Sequence, residues 1–485
     1  MNVFLKQNRF PILILIFTTL CLTALCLLFH KHIFVTEQNT VWFGRILLAL
    51  FGASIVLIIV AEFIYNRSQL KPLFSINTLL IFSIVILLVF SLFQKQLGIY
   101  ATGFFVFCAL MYFFVKKEFF PLNKVYFFVF LYAVFQMVET RNTPHGFHFP
   151  EMSYSFYVLP LSFSLFRLKK QNLLMIAKIV FRIMIVYMAV SIVYWWYNMQ
   201  ILNASVFQWF SNKVSFNDSP AYEFVGKWSH YTHPSYISLV LFSALILGFY
   251  LNYKKEKTAF ISKFELGAYI ALCLTLELAM ESRVGLIELL IIVVVSLLYY
   301  IKMKSPYLKH AIITGFFMAI IIFFVGSSRF EKILKDDVRK ADYTLAINFI
   351  KDHPLSGAGY HQQRAALEYE DKQMTDVTRP ATAPPITYTH NQFLGDMVQF
   401  GIPGLIVLLI LLSALTWYAI KSRSYLLQLF MLVYILFMFI EEPLYVQEGI
   451  TRFMVYLCFF IQIRETDKPF GKFSLRNLFS KRQPA

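Results

Sequence analysis

Long apolar stretches alternate with short charged breaks along almost the whole chain. Most of these stretches have the length that a helix needs to cross a lipid bilayer, about 20 residues. The pattern predicts fourteen helical spans, or twelve to thirteen if the shortest ones (124–138, 154–166 and 450–463) do not cross. The remaining predicted spans are 11–29, 43–65, 76–93, 98–115, 173–197, 234–252, 265–280, 284–301, 309–326, 398–419 and 425–440. The fold class that follows is all-α, a polytopic membrane helix bundle of about 12–14 transmembrane helices.

The composition excludes an ordinary soluble protein. Hydrophobic residues make up 58% of the 485 residues, and charged residues only 15%. A soluble chain of this length would carry more charge on the surfaces of several domains. The run at 11–29 is too long for the core of a cleavable signal and lacks a small-residue cleavage site.

The five cysteines all fall inside apolar stretches, which predicts buried thiols and neither a disulfide framework nor a metal cluster. They are Cys21, Cys26, Cys108, Cys273 and Cys458.

Basic residues cluster in alternate breaks, which sets a predicted orientation. The clusters lie at 116–124, 167–170, 254–263, 302–309 and 421–423, and the tail after 463 adds more. The break at 441–449 has no Lys or Arg. The positive-inside rule then places both termini in the cytoplasm. The net charge of +17 is therefore a topology signal with attraction to membrane lipids, and we predict no nucleic-acid partner.

This orientation puts the longest hydrophilic stretch, 326–391, on the outer face as one large, partly helical loop. Residues 332–350 of this loop have the apolar spacing of a helix. We divide the chain into N-terminal transmembrane helices (1–280), a motif-bearing region (281–464) and a basic cytoplasmic tail (465–485). Polar residues at span ends also gather on the predicted outer side, which is typical of a site built there. They are His233, Ser282, Arg283, Glu441 and Glu442.

Four sequence elements carry candidate chemistry. His390-Asn391 is followed, after nine residues, by Gly-x-x-Gly at 401–404. Pro-Leu-x-Gly-x-Gly lies upstream at 354–359, and Arg339 precedes it. Ser-Arg-x-Gly occurs at 282–285, where an earlier span begins.

These elements, in this order, resemble the O-antigen ligase and O-antigen polymerase superfamily of bacterial membrane glycosyltransferases. The resemblance covers about 281–420. It implies transfer of a glycan from undecaprenyl diphosphate to a hydroxyl of a lipid or glycan acceptor. It also implies a multi-pass protein of the inner membrane with its active site on the outer, periplasmic face.

The residue chemistry fits that reaction. His390 suits the general base, because histidine titrates near neutral pH. Arg283, Arg339 and Arg329 suit the diphosphate, because a guanidinium can bind two phosphate oxygens at once. We expect no metal and no cofactor, since no Asp-x-Asp-like pair occurs in the predicted outer segments. Further candidate substrate contacts are Asn391, Ser282, Gly357, Gly359, His233 and Glu441.

Other interpretations stay open at this point. Arg283 could anchor a span end, and Gly357 and Gly359 could simply form a turn. Lys178 and Arg182, inside an apolar stretch, could line a cavity or extend their side chains to the surface. The motifs do not separate ligase from polymerase. A polysaccharide or lipid flippase is the alternative from a different functional class, but it predicts charges spread through the bundle.

Overall fold

The computed structural model describes residues 37–65, 75–93, 95–140, 153–201, 225, 227–229, 234–256, 259–280, 282–300, 337–373, 389–466 and 473–474. The spans predicted at 11–29 and 309–326 lie outside these residues. So do His233, Arg329, Cys21 and Cys26.

The described residues form fourteen α-helices, one 3-10 turn and one short strand pair. The helices are α1 Glu37–Tyr65, α2 Ile76–Phe90, α3 Lys95–Lys116, α4 Tyr126–Glu139, α5 Ser155–Ser164, α6 Lys170–Ile201, α7 Pro234–Lys254, α8 Lys263–Ala279, α9 Arg283–Tyr300, α10 Asp337–Asp352, α11 Gln363–Gln373, α12 Gln392–Lys421, α13 Tyr425–Met438 and α14 Gln447–Glu465. The 3-10 turn is Lys227–Ser229, and β1 (Glu118–Phe119) pairs antiparallel with β2 (Phe473–Ser474).

The predicted fold class is confirmed: the chain is an all-α polytopic membrane protein. Each of the twelve predicted spans within the described residues corresponds to one helix. Five of these helices, α1, α3, α6, α7 and α12, are long and apolar enough by themselves to cross a bilayer. The helix expected at 332–350 is α10, which the structure describes from Asp337 onward. Cys108, Cys273 and Cys458 are buried free thiols.

The helices group into two compact units, each discontinuous in sequence. The first unit contains 1–120, 165–289 and 461–485, and the second contains 121–164 and 290–460. The His-Asn, Gly-x-x-Gly and Pro-Leu-x-Gly-x-Gly elements all belong to the second unit. Ser282 and Arg283 belong to the first.

A buried cluster of four charges joins three helices of the first unit. Arg182 on α6 is fully buried and binds Glu62 of α1 and, at 2.8 Å, Glu265 of α8. Lys178, one turn earlier on α6, lies 3.1 Å from Glu62 Oε1. Lys178 and Arg182 therefore neither reach the surface nor remain uncompensated, which resolves the open question about them. Two cations and two anions balance in a low-dielectric interior, where an isolated charge is very costly.

In the second unit, α10 and α11 pack against the start of α12. Their shared core consists of Leu345, Ala346, Phe349, Ala366, Leu367 and Val398. This core ties the described part of the long polar segment to the helix that begins just after His390.

The charge cluster gives a stability prediction. Arg182→Met should lower the free energy of unfolding by about 3–5 kcal/mol, because it leaves Glu62 and Glu265 buried without their main cation. Arg364→Met is the matched control, since Arg364 pairs with Glu368 on the surface of α11 with its side chain 58% exposed; a surface pair is worth at most about 1 kcal/mol. Thermal unfolding of both variants in detergent measures the difference. Equal effects would contradict the assigned role of the cluster.

Candidate functional site

The Pro-Leu-x-Gly-x-Gly loop is bonded to a kink in α12. Gly401 interrupts the helix with φ 67° and ψ −163°, so backbone groups on both sides of it become available to another segment. Ala358 N donates to Val398 O at 2.8 Å and Gly359 N to Gln399 O at 2.7 Å. Ile402 N donates back to Pro354 O at 2.8 Å. Two of the sequence elements are therefore directly hydrogen-bonded to each other.

This close approach explains the glycines. Gly357, Gly359 and Gly401 have φ values of 59°, 99° and 67°, in the region that glycine adopts most easily. A Cβ at Gly401 would lie 2.7 Å from the carbonyl carbon of Leu355, and one at Gly357 would overlap the backbone of Gln399. Gly357 N also donates within the loop, to His353 O at 3.2 Å. The backbone N–H groups of Gly357 and Gly359 thus already have partners in the protein, and this geometry supports the turn interpretation.

Asn391 caps α12 and connects it to the end of α13. Its Oδ1 accepts from Phe393 N at 3.0 Å and Leu394 N at 3.1 Å, and its Nδ2 donates to Phe439 O at 3.1 Å. An Asn at this position satisfies helix N–H groups that have no partner within the helix. The side chain of Asn391 fixes the point where α12 begins, six residues before the predicted span.

His390 immediately precedes this cap in an unfavourable backbone conformation. Its φ is 53°, uncommon for a residue with a side chain. Such strain persists only where the surroundings enforce it, and it is enriched at functional sites. Tyr343 of α10 contributes one such contact, donating its hydroxyl to His390 O at 3.4 Å.

Glu441 lies between His390 and Arg339. His390 Nδ1 is 3.5 Å from Glu441 Oε2, and Arg339 Nη2 is 3.8 Å from Glu441 Oε1. The Glu441 side chain is only 2% exposed, whereas those of His390 and Arg339 are 25% and 37% exposed. A buried carboxylate thus holds an imidazole and a guanidinium that both remain accessible. This arrangement can orient a base and present a cation to the same ligand.

The neighbouring Glu442 faces the interior. Thr389 Oγ1 donates to Glu442 Oε1 at 2.6 Å, and Gln363 Nε2 of α11 donates to the same oxygen at 3.0 Å. Burial raises the pKa of Glu442 to about 7, and the hydrogen bonds from Thr389 and Gln363 and the nearby His390 act in the opposite direction. Sequence reasoning noted this residue at a span end but did not include it in the site.

Sequence reasoning missed a second polar group, on the first two turns of α12. Asp396 is buried and accepts from Tyr132 OH at 2.8 Å and Gln392 Nε2 at 2.7 Å. Gln392 Oε1 accepts from Leu444 N at 2.7 Å, so Gln392 connects Asp396 to the segment that follows Glu442. Asp396 could have been identified from the sequence as a carboxylate next to an apolar stretch, where ionisable residues are often functional.

The Ser-Arg-x-Gly element begins α9 in the first unit. Ser282 Oγ accepts from Gly285 N at 3.2 Å, and Ser238 Oγ donates to Glu277 Oε2 at 2.9 Å. A Cβ at Gly285 would lie 2.6 Å from Glu277 Cδ, so only glycine fits beside that buried carboxyl. Arg283 starts the helix, but its side chain lies outside what the structure describes.

Part of the chain matches a known protein family. Residues 268–409 match the family model described as O-antigen ligase. Within these residues the chain is similar to the O-antigen ligase family. The resemblance seen in the sequence is therefore confirmed. No curated protein matches the chain.

The matched region runs from α8 to the middle of α12 and includes all four sequence elements. Among the predicted site residues, the structure brings together His390, Arg339 and Glu441, and it places Asn391, Gly357 and Gly359 in the scaffold that holds them. Among the described residues, no group of three or more His, Cys, Asp or Glu is arranged to hold a metal ion.

The kink in α12 gives a second prediction. Gly401→Ala should destabilise the protein and lower its activity, because the new Cβ meets the backbone of residues 354 and 355 and φ is positive. Gly267→Ala on α8 is the control, since a Cβ there has no atom within 4 Å and alanine favours a helix. Thermal unfolding in detergent should separate the two variants, and an unaffected Gly401→Ala protein would refute the steric account.

Proposed function

We propose that this protein is an O-antigen ligase-like glycosyltransferase. It transfers a glycan from undecaprenyl diphosphate to an acceptor hydroxyl during the synthesis of cell-surface polysaccharide. The observation that carries the proposal is the contact of His390 and Arg339, which both lie within the matched residues 268–409, with one buried carboxylate, Glu441. The site combines a base and a cation, the two groups that this transfer requires.

His390 acts as the general base. The acceptor oxygen attacks the anomeric carbon of the donor glycan and forms the new glycosidic bond, while the bond from that carbon to the diphosphate oxygen breaks. Imidazole Nε2 takes the hydroxyl proton, and undecaprenyl diphosphate leaves as an anion. Glu441, beside Nδ1, orients the ring and stabilises the imidazolium that forms.

The arginines stabilise the leaving group. Arg339 stands partly exposed beside Glu441, so its guanidinium can turn toward phosphate oxygens while Glu441 limits its range. Arg283 and Arg329 are the further proposed diphosphate contacts, and Ser282 and His233 the further substrate contacts. Charge developing on the diphosphate is stabilised more by fixed cations than by reorganising water.

The proposed reaction takes place on the outer face of the bacterial inner membrane, with both termini in the cytoplasm. The basic clusters in alternate breaks support this orientation. The donor is then a lipid-linked glycan exposed on that face, and the acceptor is a lipid or another glycan.

The central test is loss of transfer in His390→Ala. General-base help is worth about 10²–10⁴ in rate, so transfer should fall at least about a hundredfold while the protein still accumulates in the membrane. His353→Ala is the matched control, because His353 is exposed in the same segment, where its ring stacks on Phe349. The measurement is the surface glycan of a deletion strain complemented with each variant.

The deletion strain itself separates the alternatives. Full-length lipid-linked glycan that never reaches its final carrier indicates a ligase. Single repeat units on that carrier indicate a polymerase of the same superfamily. Lipid-linked glycan confined to the inner leaflet indicates a flippase and contradicts the proposal. Normal transfer by His390→Ala would remove His390 as the base.

A further inference from the structure

Two consecutive carboxylates, Glu441 and Glu442, contact two consecutive residues, His390 and Thr389, that lie just before α12. Glu441 contacts His390, and Glu442 accepts from Thr389. Glu442 also accepts from Gln363, and this bond connects α11 to the same segment. Glu442 is 1% exposed, and Thr389 and Gln363 are fully buried. The second pair therefore forms the buried layer directly behind the first.

The fit around Glu442 is tight. A Cβ at Gly395, in the first turn of α12, would lie 2.7 Å from Glu442 Cδ. The carboxyl group of Glu442 therefore packs directly against the first turn of α12. Thr389 Oγ1 is also 2.9 Å from Asn391 O, so the Thr389 hydroxyl contacts Glu442 on one side and the residue after His390 on the other. Movement of Glu442 would release Thr389, the residue that immediately precedes His390.

We propose that Glu442 is a positioning residue for the transfer reaction: through Thr389 and Gln363 it holds His390 at its place beside Glu441. This inference rests on the proposed function of His390. It assigns Glu442 no contact with substrate.

The strained backbone at His390 is the physical reason that such a residue is needed. A residue at φ 53° relaxes toward a more favourable conformation unless its neighbours are fixed. Without the Glu442 carboxyl, two buried polar groups, Thr389 Oγ1 and Gln363 Nε2, lose a partner, and each such loss is costly. Relaxation of the 389–391 segment would then move the imidazole away from Glu441. A displacement of about 1 Å at a reacting group can cost about a hundredfold in rate.

The test compares Glu442→Ala with Glu442→Gln in purified protein. Alanine removes the carboxyl oxygen that accepts from Thr389 and Gln363, and it should lower kcat about a hundredfold. The KM for the donor should change little, because the proposed diphosphate contacts are arginines. Glutamine keeps an oxygen at the same position and should restore most of kcat. Glu368→Ala is the control, because the Glu368 side chain on α11 is partly exposed, and this variant should leave both constants unchanged. Wild-type kcat in Glu442→Ala, or an equal loss in both Glu442 variants, would overturn the proposal.

A readout independent of transfer separates this inference from the proposed function. Diethyl pyrocarbonate modifies accessible imidazoles, and His390 is the only histidine between residues 380 and 421, so its modification rate can be followed by mass spectrometry of that peptide. Glu442→Ala and Thr389→Val should change this rate, whereas Glu442→Gln and Thr389→Ser should keep it near the wild-type value. An unchanged rate in both disruptive variants refutes the positioning role. Changed rates in a protein without transfer activity would refute only the proposed function.

Discussion

The hydrogen bonding of the 354–359 loop to the kink at Gly401 is the constraint on which the second unit depends. A helix kept regular at this point would use its own backbone groups internally and offer none to the loop. The kink makes Val398 O, Gln399 O and Ile402 N available, and the loop pairs with all three. This fixes α10 and α11 against α12, and with them Arg339 and Gln363. The glycine-rich elements therefore position the segments that carry His390 and Arg339.

Buried carboxylates are the second organising feature. Glu441, Glu442 and Asp396 all lie within the second unit, and each is contacted by donors or cations from other segments of the chain. Such groups are costly to bury unless they are hydrogen-bonded, so each one fixes the geometry of its partners. The first unit uses the same principle in a different way, with Arg182 and Lys178 neutralising Glu62 and Glu265. In each unit, the buried charged groups fix the positions of the side chains that they contact.

Much of the fold was predictable because hydropathy reports directly on membrane-spanning helices, and all twelve predicted spans within the described residues are helical. His390 and Arg339 were predicted as candidate site residues from motif order, and Glu441 from its position at a span end. The contact of His390 with Glu441 was not predictable, because Glu441 follows His390 by 51 residues and a whole helical hairpin. The pairing of Glu442 with Thr389 and Gln363, and of Asp396 with Tyr132, depends on side-chain direction, which hydropathy does not encode. The burial of Lys178 and Arg182 was likewise not predictable, because their partners, Glu62 and Glu265, lie on other helices, α1 and α8.

The central claim is that a histidine held by a buried carboxylate, together with fixed arginines, performs glycan transfer from a lipid diphosphate. The most direct measurement is transfer of an undecaprenyl-diphosphate-linked glycan to an acceptor by the purified protein in detergent, in the presence of a metal chelator. The account predicts full transfer under these conditions, with release of undecaprenyl diphosphate in equal amount to the new glycosidic bond. Loss of transfer on chelation, restored by a divalent metal ion, would contradict it.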